Sequence, residues 1–257
     1  MVDDSKITQE FLDSSQYQVD TILAYEQVYG EDFVSPGGYD LALELLSRFQ
    51  LEAGARVLDV GCGLGGSAFV MAREFGLQVD GIDLSKNMLS IANQKLSTNG
   101  LSGQVNLFWG DCLELSDDST YDAIYSRDVF LHIHDKDRLF NVLHDLLSPG
   151  GQLLFSDYCA GAKPWSVEFS DYVKARGYDL HTVDEYVELI SVAGFEKVVG
   201  EDATSRFAEI LQSEKRHIKQ LDMDPGLGRK LEQSWQQKYE RALAGEQCWG
   251  IFTAHKP

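Results

Sequence analysis

Cysteine and long apolar runs are scarce in this sequence, and each shortage excludes a class of protein. The 257 residues contain four cysteines, which lie far apart and form no CxxC pair. We therefore expect neither a zinc cage nor a disulfide framework, but a reduced cytoplasmic protein. Because no run of about 18 apolar residues occurs, no membrane span is expected. The opening MVDDSKITQE lacks the basic start and apolar segment of a secretory signal.

Basic residues are outnumbered as well. The chain has 22 lysines and arginines against 41 aspartates and glutamates, which gives a formal net charge of −19. A field of this sign repels nucleic acid and anionic membrane surfaces, so neither is an expected partner. An anionic small molecule would bind only where a local cationic pocket outweighs the global field at short range.

Strands and helices alternate along the first 160 residues. The segments ARVLDVGCG, LQVDGID, QVNLFWGD, YDAIYSRD and GQLLFSDY are predicted as strands, and helical segments separate them. Residues 7–29 are predicted as a helical segment that is broken near Ser14 and Ser15. Residues 148–151, SPGG, are predicted to stop the helix before the fifth strand. This order predicts an α/β domain with a mainly parallel sheet.

The pattern changes after the fifth strand. Helical segments are predicted at PWSVEFSDYVKARGY and TVDEYVELISVAGF, and FEKVVGEDA is predicted as a strand. Residues 204–244 are predicted as charged helices with a break at Pro225 and Gly226. The last segment, QCWGIFTAHK, alternates like a strand and is predicted at the edge of the sheet. We expect one domain, in which the N-terminal helices and the later helices cover the site.

A glycine-rich turn follows the first strand. Gly61, Gly63 and Gly65 lie in VLDVGCGLGG, between a strand and a helix, where glycine lets a ligand approach the backbone closely. A dinucleotide site would hold a pyrophosphate at the helix N-terminus. The carboxylate of Asp59 is unfavourable beside a pyrophosphate but favourable beside a ligand with a cationic amino group. That chemistry is typical of S-adenosylmethionine.

Acidic residues end the next two strands as well. Asp83 lies 20 residues after Gly63, where a ribose hydroxyl pair would be held, and Asp111 ends the third strand. The pattern VLDVGCGLGG…GIDLS…GD resembles the cofactor half of class I methyltransferases. The resemblance implies a Rossmann-like, mainly parallel seven-stranded sheet flanked by helices, with S-adenosyl-L-methionine as cofactor. It implies that Asp59 lies near the amino end of the cofactor, that Asp83 binds the ribose hydroxyls, and that Asp111 and the backbone of Cys112 hold the adenine. The three glycines would flank the methionine part and the ribose, and Leu84 is a further cofactor-binding residue.

Longer segments resemble the phosphoethanolamine N-methyltransferases of the compact single-domain form. They are FLDSSQY, AYEQVYGEDFVSPGG, YSRDVFLHIHD, FSDYCAGAKPW, EFSDYVKARGYDLHTVDEY and WQQKYE…WGIF, and they run from about residue 11 to 252. The resemblance implies stepwise N-methylation of phosphoethanolamine, through mono- and dimethyl forms, to phosphocholine. It implies one methyltransferase domain with a helical cap at 1–50, a cofactor-binding core at 51–160, and a substrate-binding lid with the remaining strands at 161–257.

The family's site residues carry over position by position. Cys112 and Val34 replace isoleucines, and no ionisable member of the set is substituted. The resemblance assigns catalytic roles to Tyr17, Asp128 and His132. It assigns cofactor binding to Val34, Ser35 and Arg127 beside the residues already named. It assigns substrate binding to Gln16, Tyr25, Tyr158, Tyr172, Arg176, Tyr178 and Lys238.

The chemistry of these side chains agrees with the assignment. Arginine presents a planar fork and lysine a point charge to a phosphate, while tyrosine hydroxyls donate without adding charge. The attacking amine must be neutral, and histidine is a suitable base near neutral pH. Asp128 and His132 are four residues apart, so a helical turn would place both on one face, where Asp128 could orient the imidazole. The resemblance implies that Tyr17 closes the site and bonds to His132.

Other interpretations remain open at this point. His132, His134 and Asp135 could suggest a metal site, but three ligands within four residues do not converge easily and no further cluster completes a shell. We expect no metal, with Asp135 capping the next helix. A methyltransferase for another small amine, a thioether or a phenol, a single-step phosphobase methyltransferase, and a non-catalytic cofactor-binding regulator are alternatives. We expect a monomer.

Overall fold

The fold is described from a computed structural model of the chain. It describes residues 7–116 and 120–257. Residues 1–6 lie outside this part. They include the start of the segment that we expect not to be a secretory signal and the start of the predicted cap at 1–50.

Across the described residues, seven strands form one sheet in the order β3-β2-β1-β4-β5-β7-β6. Strands β1 to β5 pair in parallel, and β7 runs antiparallel to both β5 and β6. The predicted mainly parallel seven-stranded sheet is therefore confirmed. The strands are β1 (Arg56–Val60), β2 (Gln78–Asp83), β3 (Val105–Trp109), β4 (Tyr121–Arg127), β5 (Leu147–Ala160), β6 (Glu196–Asp202) and β7 (Gln247–His255).

Helices cover both faces of this sheet. Because side chains alternate along a strand, Val57 of β1 packs in one buried cluster and Leu58 in another. The first cluster includes side chains of α3, α4, α5, α9 and α10, and the second includes those of α6 and α8. The helices are α1 (Gln9–Phe11), α2 (Val19–Tyr29), α3 (Gly38–Leu46), α4 (Gly66–Phe75), α5 (Lys86–Asn99), α6 (Lys136–Leu146), α7 (Val167–Arg176), α8 (Val183–Val192), α9 (Thr204–Ile218) and α10 (Pro225–Leu243).

The N-terminal segment is less regular than one helix. Between α1 and α2, residues Leu12–Gln16 form a π-helical turn, and Tyr17 leaves the helical region with φ −121° and ψ 49°. The predicted break therefore exists, but it is a widened turn followed by a bend. Tyr17 lies at this bend.

Two predicted boundaries are wrong. The strand β7 does not lie at the sheet edge, because it pairs with β5 on one side and β6 on the other. Residues 148–151 do not stop α6, which ends at Leu146, and β5 already begins at Leu147. By contrast, the break near Pro225 is confirmed as the start of α10, where Asp224 accepts hydrogen bonds from the amides of Gly226 and Leu227.

None of the helices in residues 7–116 and 120–257 has both the length and the apolarity needed to cross a bilayer.

Candidate active site

A cavity of about 330 Å³ opens at the carboxyl ends of β1, β2 and β4. Open parallel sheets bind ligands at this end. The π-helical turn, α2, the end of α7 and α10 contribute residues to its lining. Most of the predicted site residues line it, namely Gln16, Tyr17, Tyr25, Val34, Ser35, Gly61, Gly63, Asp83, Leu84, Asp111, Cys112, Arg127, Asp128, His132, Tyr158, Tyr172, Arg176, Tyr178 and Lys238.

Gly65 is the predicted residue that the structure places elsewhere. It lines neither this cavity nor the smaller one beside it. Its φ of 87° precedes α4, and a Cβ atom there would lie 2.7 Å from the ring of Phe69. This glycine permits the turn and the packing of α4, and its role at the cofactor stays a prediction.

Two of the turn glycines line the cavity with left-handed backbones. Gly61 has φ 72° and Gly63 has φ 54°, and a Cβ atom on Gly61 would collide with Val129. The amide of Gly63 donates to Asp83 Oδ2 at 2.8 Å, and the amide of Ser85 donates to Asp83 Oδ1 at 2.7 Å. Burial raises the pKa of Asp83 to about 6, against the lowering effect of these amides. Each oxygen keeps a further lone pair for a hydroxyl donor.

Asp59 lies in a second cavity of about 30 Å³ that shares Gly61, Gly63 and Arg127 with the first. Its side chain is 2% exposed, and Oδ2 has no hydrogen-bond partner within the described part of the chain. Burial, followed by the charge of Asp83, raises its pKa to about 7. A buried carboxylate oxygen without a partner is unfavourable. A cationic amino group would satisfy it, so this end fits the amino-acid part of S-adenosylmethionine.

The residues that follow β3 also line the main cavity. Asp111 accepts a hydrogen bond from the amide of Leu113 at 3.0 Å and so caps a short 3₁₀ turn, Cys112–Glu114. Burial, followed by the charge of Asp111, raises the pKa of the Cys112 thiol to about 12. That thiol is therefore neutral and unsuited to nucleophilic work.

Arg127 holds the loop that carries Val34 and Ser35. Its guanidinium donates to the carbonyl of Pro36 at 2.5 Å and to that of Gly38 at 3.0 Å, and the residue is 6% exposed. The predicted cofactor residue is thus placed at the cavity, with the loop as its main hydrogen-bond partner.

Tyr17 and His132 meet inside the cavity. The Tyr17 hydroxyl lies 3.2 Å from His132 Nε2, so the predicted contact between them is confirmed. Burial, followed by the charge of Arg176, lowers the pKa of His132 to about 3, and burial raises the pKa of Tyr17. The imidazole is therefore neutral and the phenol keeps its proton. With the phenol donating, Nε2 accepts and Nδ1 carries the ring proton.

Asp128 is not the partner of His132. The predicted shared helical face is wrong. Asp128 has a left-handed backbone with φ 56°, and the 3₁₀ turn that contains His132, Phe130–His132, begins only after it. Asp128 Oδ1 instead accepts from Trp249 Nε1 at 2.7 Å and from Ser156 Oγ at 3.2 Å. Nδ1 of the imidazole and Oδ2 of Asp128 have no partner among the residues described.

Sequence reasoning missed Trp249 and Ser156. Trp249 lies on β7, directly opposite Tyr158 in the β5–β7 register, and it is fully buried. Its approach to Asp128 depends on that register, which the alternation in QCWGIF does not reveal. The carboxylate is therefore oriented by the sheet rather than by its sequence neighbours.

Cations and tyrosines collect at the far end of the cavity. Lys238 Nζ donates to the Tyr158 hydroxyl at 3.3 Å, and Arg176 lies over the ring of Tyr172 at 5.8 Å. The rings of Tyr172 and Tyr178 are 5.9 Å apart in an edge-on arrangement. Burial lowers the pKa of Lys238, so this ammonium gains from an anionic ligand. The group can hold a phosphate.

Three further side chains contact residues at this end of the cavity. Gln16 donates to the carbonyl of Arg176 at 3.0 Å, which ties the π-helical turn to the end of α7. The ring of Tyr25 lies 6.0 Å from that of Trp235. Arg241, which sequence reasoning missed, lies 3.9 Å above the ring of Tyr172 and is 8% exposed.

The residues that suggested a metal have other partners. His134 Nε2 lies 3.1 Å from the carbonyl of Gly177, and Asp135 accepts from the amide of Arg138 at 3.0 Å. The prediction that Asp135 caps the next helix is confirmed, because α6 begins one residue later. Residues 7–116 and 120–257 contain no group of three or more histidine, cysteine, aspartate or glutamate side chains that could hold a metal ion.

Comparison with known proteins identifies the family. A family profile described as a methyltransferase domain matches residues 57–151. Phosphoethanolamine N-methyltransferase 1 of Arabidopsis thaliana is 43% identical over 96% of this chain and 52% of its own length. The phosphoethanolamine N-methyltransferase of Plasmodium falciparum is 33% identical over 96% of this chain and 95% of its own length.

The chain belongs to the phosphoethanolamine N-methyltransferase family. It spans about half the length of the plant members it matches. A solved structure of the family, Haemonchus contortus phosphoethanolamine N-methyltransferase 2 in complex with phosphomonomethylethanolamine and S-adenosylhomocysteine, superposes with a TM-score of 0.93. It is 35% identical, and the match covers 97% of this chain and 60% of that one.

Proposed function

We propose that this chain transfers methyl groups from S-adenosylmethionine to the nitrogen of phosphoethanolamine, stepwise through the mono- and dimethyl forms to phosphocholine. One observation carries the proposal. A single cavity holds glycine-turn and acidic residues for the cofactor, the Tyr17–His132 pair with Asp128 for an amine, and Arg176 and Lys238 for a phosphate. A free amine without a phosphate would not need the last two.

Two carboxylates offer hydrogen-bond acceptors that match groups of S-adenosylmethionine. Asp59 offers an unpartnered oxygen to an amino group, and Asp83 offers lone pairs to ribose hydroxyls. When bound, S-adenosylmethionine supplies a methyl group on a cationic sulfur. Val34, Ser35, Gly61, Gly63, Leu84, Asp111, Cys112 and Arg127 are proposed to line its binding site.

Alignment is the main contribution of the chain to catalysis. Asp59 and Asp83 would hold S-adenosylmethionine so that its methyl carbon could be displaced in line, with a new N–C bond to the amine replacing the C–S bond and the electron pair of that bond remaining on sulfur. Holding both groups in line is worth up to about 7–11 kcal/mol. Anchoring the phosphate on Arg176, Lys238 and the surrounding tyrosines fixes one end of the substrate, so that its amine lies near Asp128 and Tyr17.

Tyr17 and His132 are proposed to handle the proton that the amine loses. The Tyr17 hydroxyl oxygen can accept a proton from the amine while passing its own proton to His132 Nε2. The low pKa of His132 opposes this transfer in the free protein. A bound phosphate counters the charge of Arg176, which is one of the groups that lower it. Asp128 Oδ2 would accept a hydrogen bond from the same nitrogen.

The test is a substrate panel resolved by mass spectrometry. The protein is incubated with S-adenosylmethionine and, separately, with phosphoethanolamine, its mono- and dimethyl forms, and free ethanolamine. We expect stepwise products from the first three and none from ethanolamine. The panel includes the monomethyl form because the Haemonchus relative is described in complex with it. Turnover of one form alone would identify a single-step enzyme. Product on ethanolamine or on a phenol alone would refute the proposal.

We also propose a domain organisation, a location and an oligomeric state for the chain. The chain would act as one methyltransferase domain, with residues 1–50 as cap, 51–160 as cofactor core and 161–257 as substrate lid with the remaining strands. It would work in the cytoplasm, where the four free cysteines stay reduced. It would be a monomer, which sedimentation of the purified chain can check.

A further inference from the structure

Glu214 is a buried carboxylate that belongs to neither ligand-binding set. It lies on α9 and is 8% exposed. Its Oε1 accepts from the amide of Gly37 at 2.8 Å, and its Oε2 accepts from Trp235 Nε1 at 2.8 Å. Burial raises its pKa, while these two donors and then Lys238 act to lower it. One side chain therefore joins a loop beside the cofactor end to a helix beside the phosphate end.

The loop side of this contact places cofactor residues. Val34 and Ser35 line the main cavity directly before Pro36 and Gly37. Arg127 holds the carbonyls on either side of Gly37, and Glu214 holds the amide of Gly37 itself. Gly37 has φ 77°, a conformation that glycine adopts readily, so its amide is available for Glu214. Loss of either partner would free the loop.

The helix side places the phosphate group. Trp235 and Lys238 lie one helical turn apart on α10, and Lys238 Nζ is 4.9 Å from the centre of the Trp235 ring. The same Nζ donates to the hydroxyl of Tyr158. Among the residues described, the link between Lys238 and Glu214 runs through the indole, because no ion pair within 4.0 Å joins them.

We propose that Glu214 is a positioning residue that couples occupancy of the phosphate site at Lys238 to the conformation of the Ser35–Gly38 cofactor loop. The inference rests on the proposed function, because it takes Lys238 as a phosphate ligand. A phosphate on Lys238 favours the ammonium form of that residue. The ammonium favours the carboxylate form of Glu214, which is the stronger acceptor for Gly37 N–H and Trp235 N–H. By linkage, the bound cofactor strengthens phosphate binding by the same factor.

The experiment measures this coupling directly. Calorimetry gives the affinity of the full chain for S-adenosylhomocysteine, with and without saturating phosphoethanolamine. We expect phosphoethanolamine to tighten binding by about fivefold or more in the unaltered protein, a common lower bound for coupled sites. In Glu214→Gln the gain should fall below about twofold, because one of the two oxygens that accept from Gly37 and Trp235 becomes an NH₂ donor and the side chain loses its charge. Thermal unfolding checks that the variant is folded.

Matched variants separate coupling from general damage. Glu209→Gln changes an exposed glutamate on the same helix and should keep the full gain. Trp235→Phe removes the indole donor and part of the ring that faces Lys238, and it should also weaken the gain, so it serves if Glu214→Gln does not fold. An unchanged gain in a folded Glu214→Gln or Trp235→Phe variant, or no gain in the unaltered protein, overturns the inference.

The substrate panel and the calorimetry can fail independently. Methylated products without coupling would leave the proposed function intact and remove the role of Glu214. Inorganic phosphate in place of phosphoethanolamine tests the Lys238 end without an amine. If phosphate still tightens S-adenosylhomocysteine binding through Glu214 while no phosphobase is methylated, the proposed substrate is wrong and the coupling stands.

Discussion

Single side chains in the cavity are held by partners that are distant in sequence. Asp128 depends on Trp249, and Tyr17 depends on His132. Asp128 Oδ2, His132 Nδ1 and Asp59 Oδ2, by contrast, have no hydrogen-bond partner in the parts of the chain described. Such atoms mark where a ligand would complete the hydrogen bonding.

Replacement of Trp249 by phenylalanine tests the orientation of Asp128. The indole donates at 2.7 Å to a buried carboxylate, and a hydrogen bond to a charged group contributes about 1.5–3 kcal/mol. Trp249→Phe should therefore lower kcat for phosphoethanolamine by about tenfold or more, with cofactor affinity little changed. Trp165→Phe, which removes an indole bond to the carbonyl of Gly161 outside the cavity, is the control. Equal losses in both variants would contradict a specific role.

Asp59 gives a prediction about pH and stability. Its pKa rises from 3.8 to about 7 on folding, so between these values the folded protein binds more protons than the unfolded one. The contribution of Asp59 to stability therefore falls as the pH rises through this window. Without ligand, Asp59→Asn should be more stable than the unaltered protein at pH 8, on the order of 2 kcal/mol, and the difference should shrink at pH 5.

Denaturant unfolding at both pH values measures this difference. Asp145→Asn, at a side chain that is 88% exposed, provides the control. The Asp59 variant should also bind S-adenosylmethionine weakly, since the carboxylate is the proposed partner of its amino group. A variant that is less stable at both pH values would show that Asp59 serves the fold rather than the ligand.

At the scale of elements, the N-terminal segment is anchored on the start of α5. Asp13 Oδ1 accepts from Ser85 Oγ at 2.5 Å, and Asp13 Oδ2 accepts from the amide of Lys86 at 3.2 Å. Asn87 Nδ2 donates to the carbonyl of Tyr17 at 2.9 Å. A carboxylate at a helix N-terminus is favourable, so this contact holds the π-helical turn, and with it Tyr17, over the cavity.

Loss of the Asp13 contacts should loosen the N-terminal segment over the cavity. Asp13→Ala should increase the dissociation rate of S-adenosylhomocysteine by about tenfold, because the lost contacts are worth on the order of 1–2 kcal/mol. Stopped-flow fluorescence measures the rate. Asp20→Ala, at an exposed position in the first turn of α2, should leave it unchanged. A rate that does not change in Asp13→Ala would mean that the segment does not control release.

How far the sequence predicts this architecture depends on the range of the interactions. The glycine turn, the acids at strand ends and the Asp135 cap follow from local patterns, and the structure contains them. The edge position assigned to β7 was wrong because it depends on the order of the strands in the sheet. The pairing of Asp128 with His132 was wrong because Asp128 has a left-handed backbone and the 3₁₀ turn Phe130–His132 begins only after it. The bond between Gly37 and Glu214 joins residues 177 positions apart, which no local period can indicate.

At the scale of the whole molecule, a net charge of −19 surrounds a cationic pocket. The long-range field opposes an anionic substrate, whereas Arg176 and Lys238 attract it at short range. Added salt weakens the long-range repulsion more than the short-range attraction, because the Debye length falls from about 30 Å at 0.01 M to about 10 Å at 0.1 M.

The value of kcat/KM for phosphoethanolamine should therefore rise as salt increases over this range, by about twofold. Initial rates at fixed pH in sodium chloride measure it, with a viscosity control. A steady decline with salt would indicate that the cationic pocket, rather than the global charge, dominates the approach of substrate.

The interior position of β7 also has a consequence for biosynthesis. The ribosome makes β7 after every other strand of the sheet, yet it lies between β5 and β6 and carries Trp249 to Asp128. A nascent chain that has emerged as far as residue 151 already contains the glycine turn and the acids at strand ends. It lacks Lys238 and Trp249, so the ends of the cavity proposed to hold the amine and the phosphate are completed last. Translation thus separates in time two halves of a site that act together in the folded protein.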